Sequence, residues 1–198
     1  MADALSAVID ELTSDPSNAW ARDLGYRPVW AGSPSARIAI IGQAPGRRAQ
    51  ESGIPWHDAS GERLRSWLGI HDDEFYDPTL FAIVPMDFYF PGKGKTGDLP
   101  PRTDFAPRWH PRLLAAMPHI TLRVLIGAHA QRFYLAGRAK ENLTQTVQSY
   151  REYLPAEFPL VHPSPLNYRW HANNPWFTAE VVPELARQVS PILTGATR

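Results

Sequence analysis

Apolar residues recur along the chain at two periods. Leu5, Val8, Ile9 and Leu12 follow helical spacing and stop at Asp15-Pro16, which predicts a short amphipathic helix near the start. Arg37 to Ile41 reads differently: this β-branched run ends abruptly at Gly42-Gln43-Ala44-Pro45-Gly46, and a polar helical stretch follows. Strand, glycine turn and helix in that order open an α/β unit. Three more short apolar runs, Leu80 to Val84, Val124 to Ile126 and Leu160-Val161, recur at intervals of about thirty to forty-five residues, which leaves room for crossover helices. The pattern therefore predicts an α/β fold with a central four-stranded parallel sheet. Helices are expected over Gly61 to Leu68, Pro111 to Met117, Ala128 to Leu135 and Pro175 to Val189. Phe90 to Pro107 is rich in proline and glycine and too long for a simple connector; loops of that length are usually functional or disordered.

With 198 residues, 43% of them hydrophobic and 20% charged, the chain suits one compact domain with its own core, residues 1–30 forming a helical extension packed on it. A monomer is expected. The chain has no cysteine, which excludes a disulfide framework, a thiolate nucleophile, a Cys-bound zinc and a conventionally held iron–sulfur cluster. Its twenty prolines and seven tryptophans predict stiff, aromatic-rich loops, good platforms for a ligand. Residues 1–15 lack both a basic start and a long apolar run, and no stretch approaches a membrane span, so a cytoplasmic location with no membrane partner is expected.

Lys+Arg and Asp+Glu cancel at 20 each, but unevenly: Asp3, Asp10, Glu11 and Asp15 stand unopposed at the start. Basic density peaks between Pro91 and Arg112, where Lys93, Lys95, Arg102, Arg108 and Arg112 face only Asp98 and Asp104. Such a stretch is either a solvated loop or a phosphate-binding face.

In an open parallel sheet, ligands bind beyond the carboxyl ends of the strands. Here those ends carry Gly42 to Gly46, Pro85 to Phe90, Gly127 to His129 and His162 to Asn167. The first set can present backbone N–H groups to developing negative charge. The last combines an imidazole, the Ser164 hydroxyl and two prolines that fix the loop's path and so aim His162. His57, Asp58, Asp87 and His162 also offer donors for a metal-assisted hydrolysis, although no HExxH or comparable spacing accompanies them.

Gly42-Gln43-Ala44-Pro45-Gly46 resembles the first motif of the uracil-DNA glycosylase superfamily, and His162-Pro163-Ser164-Pro165-Leu166 resembles its His-Pro-Ser-Pro motif. Between them, Gly53-Ile54-Pro55-Trp56-His57-Asp58-Ala59-Ser60-Gly61 is similar to the Gly-x-Pro-aromatic segment of the thermostable iron–sulfur branch. Asn174-Pro175-Trp176-Phe177 is similar to a run found after the His loop in related bacterial proteins, so the resemblance spans about Arg37 to Leu185. It implies a three-layer α/β/α sandwich that binds DNA containing a damaged base, turns that base out of the stack and hydrolyses its N-glycosidic bond to start base-excision repair. Uracil is the default base, and no cofactor is implied.

Residue by residue, the resemblance implies that His162 donates to the leaving base, Trp56 stacks on it, and Leu166 wedges into the vacated space. Gly42 and Ala44 would line the base beside Trp56. The chain departs from the family at three places. Ala44 and Gln43 stand where the branches carry Asp or Asn, or Glu; Gln43 can orient water but is no base, which leaves Asp58 as the nearest acid. Val84-Pro85-Met86-Asp87 lacks the Asn that reads uracil, so Asp87 is the candidate acceptor from a base N–H. The cluster cysteines are missing. Lys93, Lys95, Arg102 and Arg108 in the long loop, with Arg47, Arg48 and Arg169, are the candidate phosphate contacts, beside Ser164 in the motif. Trp56 as ordinary core, Asp58 as a helix cap and the whole chain as a non-catalytic damaged-DNA binder remain open alternatives.

Overall fold

The computed structural model describes residues 4–195. Its centre is a sheet of β1 (Ile38–Ile41), β2 (Phe81–Ile83), β3 (Leu122–Ile126) and β4 (Glu157–Leu160), in the order β2-β1-β3-β4. All neighbours run parallel, with Ile38 opposite both Phe81 and Leu122, and Arg123 opposite Glu157. In β1, Ala39 and Ile41 enter one core while Ile38 and Ile40 enter the other. A strand buried on both faces needs a continuous apolar run, and IAII supplies it.

One face is covered by α1 (Ala4–Ser14), α2 (Ala19–Asp23), α6 (Phe105–Ala115) and α7 (Ala128–Leu135). The other is covered by α4 (Ala59–Leu68), α5 (Asp72–Phe75), α8 (Leu143–Gln148) and α10 (Val182–Thr194). The short helices α3 (Arg47–Ser52) and α9 (Tyr168–Asn173) follow the glycine turn and the His loop. The result is an α/β/α sandwich. No helix among the described residues is long and apolar enough to cross a membrane.

Several boundaries differ from the sequence pattern. β4 covers Glu157–Leu160 rather than starting at Leu160; Pro159 has no N–H to give, which an edge strand tolerates. Helix α6 begins at Phe105, ahead of the expected Pro111, because Phe105, Trp109 and Leu113 form a buried stripe at i, i+4, i+8 and Pro111 falls inside it. The last helical stretch passes through a π-turn at Phe177–Val181 and reaches Thr194, beyond Val189. Helices α2, α5, α8 and α9 have four to six residues each, too few to show a period.

The uneven charge resolves across one interface. Helix α1 buries Leu5, Val8 and Leu12 against the sandwich and packs on α6, where Glu11 pairs with Arg112 at 2.6 Å and Asp15 pairs with Arg108. The acidic start therefore neutralises part of the basic stretch. Asp3 lies outside the described residues.

Candidate active site

A cavity of about 760 Å³ opens at the carboxyl ends of β1, β2 and β4, lined by the turn Gly42–Arg48, by Trp56, His57 and Asp58, by Pro85, and by His162 and Ser164. The strap after Phe90 closes one side with Pro91, Lys93, Asp98 and Leu99. Two sequence motifs more than a hundred residues apart thus face one space, as the strand-end rule requires.

Trp56 is held in an unusual pose. Its backbone has φ +57°, the left-handed region that a bulky residue rarely adopts. Two glycines make room for it: a Cβ on Gly42 would lie 2.9 Å from the indole Cζ2, and one on Gly61 would lie 1.6 Å from the Trp56 carbonyl oxygen. The carbonyl is held by Arg65, whose Nη1 donates to it at 3.2 Å, and the Tyr76 hydroxyl donates to the preceding Pro55 carbonyl at 3.1 Å. The indole ring lies 5.6 Å from the His162 imidazole at 33°. Trp56 is half-buried and lines the cavity, so it is not ordinary core.

His162 stands two residues past the end of β4, after the buried Val161. Its Nδ1 accepts the Ser164 backbone N–H at 3.2 Å, and Asn167 Nδ2 donates to the His162 carbonyl at 2.7 Å. A ring nitrogen that accepts carries no proton, so the neutral tautomer keeps its hydrogen on Nε2. Burial pushes the imidazole below its ordinary pKa, with the nearby Asp58 charge partly opposing. The site therefore holds an aimed, neutral N–H donor at neutral pH.

Asp58 caps α4, its Oδ1 accepting Gly61 N–H at 2.9 Å. It also lines the cavity and is exposed, and Oδ2 has no hydrogen-bond partner among the described residues. Capping and chemistry are thus compatible in one carboxylate. Gln43 and Ala44 line the same space; among the described residues Gln43 Nε2 makes one long contact, 3.5 Å, to the Leu99 carbonyl. Leu166 is 85% exposed, on a one-turn helix at Pro165–Asn167 capped by the Ser164 hydroxyl. Arg169 is exposed beside it, its Nε bonded to the Tyr168 hydroxyl.

Two expected site residues are not brought there. Asp87 is 1% exposed and absent from the cavity lining, because its carboxylate takes Nε and Nη2 of Arg102 at 2.7 and 2.9 Å and the Tyr89 N–H at 3.1 Å. An acid so engaged has no edge to offer a base, and an Arg so engaged has none for phosphate. Arg108 is likewise paired with Asp15. Lys95 remains exposed, while Lys93 sits at the cavity and pairs with Asp98 at 2.7 Å. Arg47 and Arg48 are exposed on the rim. With Asp87 turned toward Arg102, the donors weighed for a metal do not converge, and among the described residues no three His, Asp or Glu side chains are grouped as a metal would need.

Sequence reasoning missed the supporting residues. Arg65 is 5% exposed amid Leu64, Trp67 and Leu68, and a lone arginine on an apolar helical face was the available signal. His110, pushed down to about 4 by burial, bonds the Pro85 carbonyl through Nε2 at 3.0 Å and the Tyr134 hydroxyl through Nδ1 at 2.7 Å, bracing the cavity wall from behind. No local pattern announced it.

A family model described as the Uracil DNA glycosylase superfamily matches residues 29–186, most of the chain and every residue that lines the cavity.

Proposed function

The chain belongs to the uracil DNA glycosylase superfamily, and from that premise we propose that it is a monomeric DNA glycosylase that removes uracil from DNA. The observation that carries the proposal is the neutral His162, whose Nε2–H has no hydrogen-bond partner among the described residues, with Trp56 beside it. Breaking the N-glycosidic bond sends its electron pair to the base and leaves positive charge on the sugar. His162 Nε2–H donates to the base as negative charge develops. Trp56 provides the stacking face for the extruded base. The Asp58 carboxylate stabilises the sugar cation, and Gln43 orients the water whose oxygen bonds to the sugar carbon. One proton of that water ends on the base, so the products are free uracil and an abasic site. Arg47, Arg48, Lys93, Lys95 and Arg169 are the proposed phosphate contacts; Lys93 meets only the partly exposed Asp98 and keeps two of its N–H groups, whereas Arg102 and Arg108 are held by the buried Asp87 and Asp15 and are left out.

The test is a panel of oligonucleotides bearing uracil, hypoxanthine, xanthine or an oxidised pyrimidine, scored for abasic-site formation. Uracil should be released fastest. Failure to release any of them, with binding retained, would replace the proposal with a damage-binding role.

Leu166→Ala tests the wedge. Its side chain makes no core to lose, so the fold should be unaffected. Excision from paired DNA should fall by about tenfold while excision from single strands changes little, because unpairing costs a few kcal/mol only in the duplex. Equal losses on both substrates would remove Leu166 from this role.

A further inference from the structure

The strap from Pro91 to Pro101 walls the cavity without a helix; within it Gly94 N–H donates to the Gly97 carbonyl at 2.7 Å and Leu99 N–H to the Gly92 carbonyl at 2.9 Å, closing a small hairpin across Lys93 and Asp98. What fastens that hairpin to the rest of the molecule is buried polar chemistry at its two ends. At the first, Gln50 Oε1 accepts the Phe90 N–H at 2.8 Å while its Nε2 donates to the Arg27 carbonyl at 2.8 Å. At the second stands Arg102. Besides its two side-chain bonds to Asp87 and a third from its backbone N–H at 3.3 Å, its Nη1 donates to Asn18 Oδ1 at 2.7 Å and to the Ser17 carbonyl at 3.2 Å. Phe105, Trp20 and Tyr89 surround the guanidinium, with ring centres 4.9, 5.5 and 5.7 Å away.

Arg102 thus joins three pieces of chain. Asp87 is itself fastened to the glycine turn, its N–H donating to the Gln43 carbonyl at 3.2 Å. Asn18 is fully buried and donates through Nδ2 to the Leu12 carbonyl at 2.7 Å, which locks it to α1. Between the anchors, the long Gln43 to Leu99 contact is a weak tie to the rest of the molecule. Helices α1 and α2 lie outside the residues matched by the family model.

We infer that Arg102 is a positioning residue and that the N-terminal segment Ala4–Asp23 is a working part of the site: held by Asn18 and Ser17, Arg102 fixes the strap that walls the cavity and so limits the bases admitted. This rests on reading the cavity as the base site. The guanidinium fork is essential to it, since a lysine keeps the charge but cannot bridge Asp87 and Asn18 in one plane.

The experiment compares Asn18→Ala and Arg102→Lys with Arg112→Gln, which breaks an exposed ion pair of the same interface away from the strap. Backbone hydrogen exchange over residues 91–101 of the free protein should quicken by about tenfold in the first two variants and stay at the parent rate in the third. KM for uracil in DNA should rise by about fivefold with kcat changed by less than about twofold, and the preference for uracil over hypoxanthine should narrow. Unchanged exchange in the strap would overturn the inference, as would faster exchange with KM and base preference intact. If the parent protein releases no base at all, the proposed function fails separately; exchange and affinity for uracil-containing duplex then decide. Asn18→Ala must loosen the strap and weaken that affinity for the inference to stand.

Discussion

His162→Ala should lower turnover on uracil-containing DNA by about a hundredfold or more, the usual loss when one preorganised donor to developing charge is removed. Affinity for uncleaved DNA should change little. The imidazole is half-buried and its Nδ1 is already engaged by Ser164 N–H, so it contributes its remaining N–H to charge that exists mainly in the transition state. A variant that binds weakly but turns over normally would contradict this. The same geometry fixes the pH dependence. Burial lowers the His162 pKa, so the neutral form persists as pH falls past 6.5, and protonation would set an N–H on Nδ1 against the N–H of Ser164. The acid limb of activity should therefore be centred below 6.5. An acid limb centred on 6.5 would show an imidazole that is not desolvated.

Much of this architecture was legible because its signals are local. A β-branched run ending in Gly42 announces β1, and a strand end followed by His162-Pro163 announces a placed imidazole. What was not legible depends on partners distant in sequence. Arg102 and Asp87 are 15 residues apart and Arg102 and Asn18 are 84 apart, so nothing near any of them shows that they join. The acidic start and the basic stretch were each visible, but their cancellation across α1 and α6 is a product of packing. That is why basic density overstates how many of these cations stand unpaired. Trp56 stands between these cases. Its position in the Gly-x-Pro segment marks it, whereas its left-handed backbone and its dependence on Gly42, Gly61 and Arg65 arise only from the fold.

Asp58→Asn should reduce excision by at least about tenfold with almost no change in thermal stability, since Asn and Asp cap helices about equally well. The amide oxygen can replace Oδ1 as acceptor for Gly61 N–H, so the first turn of α4 and the Trp56 carbonyl packed against Gly61 stay in place. Only the negative charge is lost. Asp58→Ala would lose both charge and cap, with a further cost of about 1 kcal/mol of stability, and comparing the two separates the roles. A second readout follows from electrostatics. The Asp58 charge opposes the burial that lowers the His162 pKa, so removing it should move the acid limb of the pH profile further toward acid. Slower excision with that displaced limb and an unchanged melting temperature identifies the carboxylate as acting at the reacting centre. Excision at the parent rate would return Asp58 to helix capping alone and leave Gln43 as the remaining polar group of the glycine turn able to hold the water.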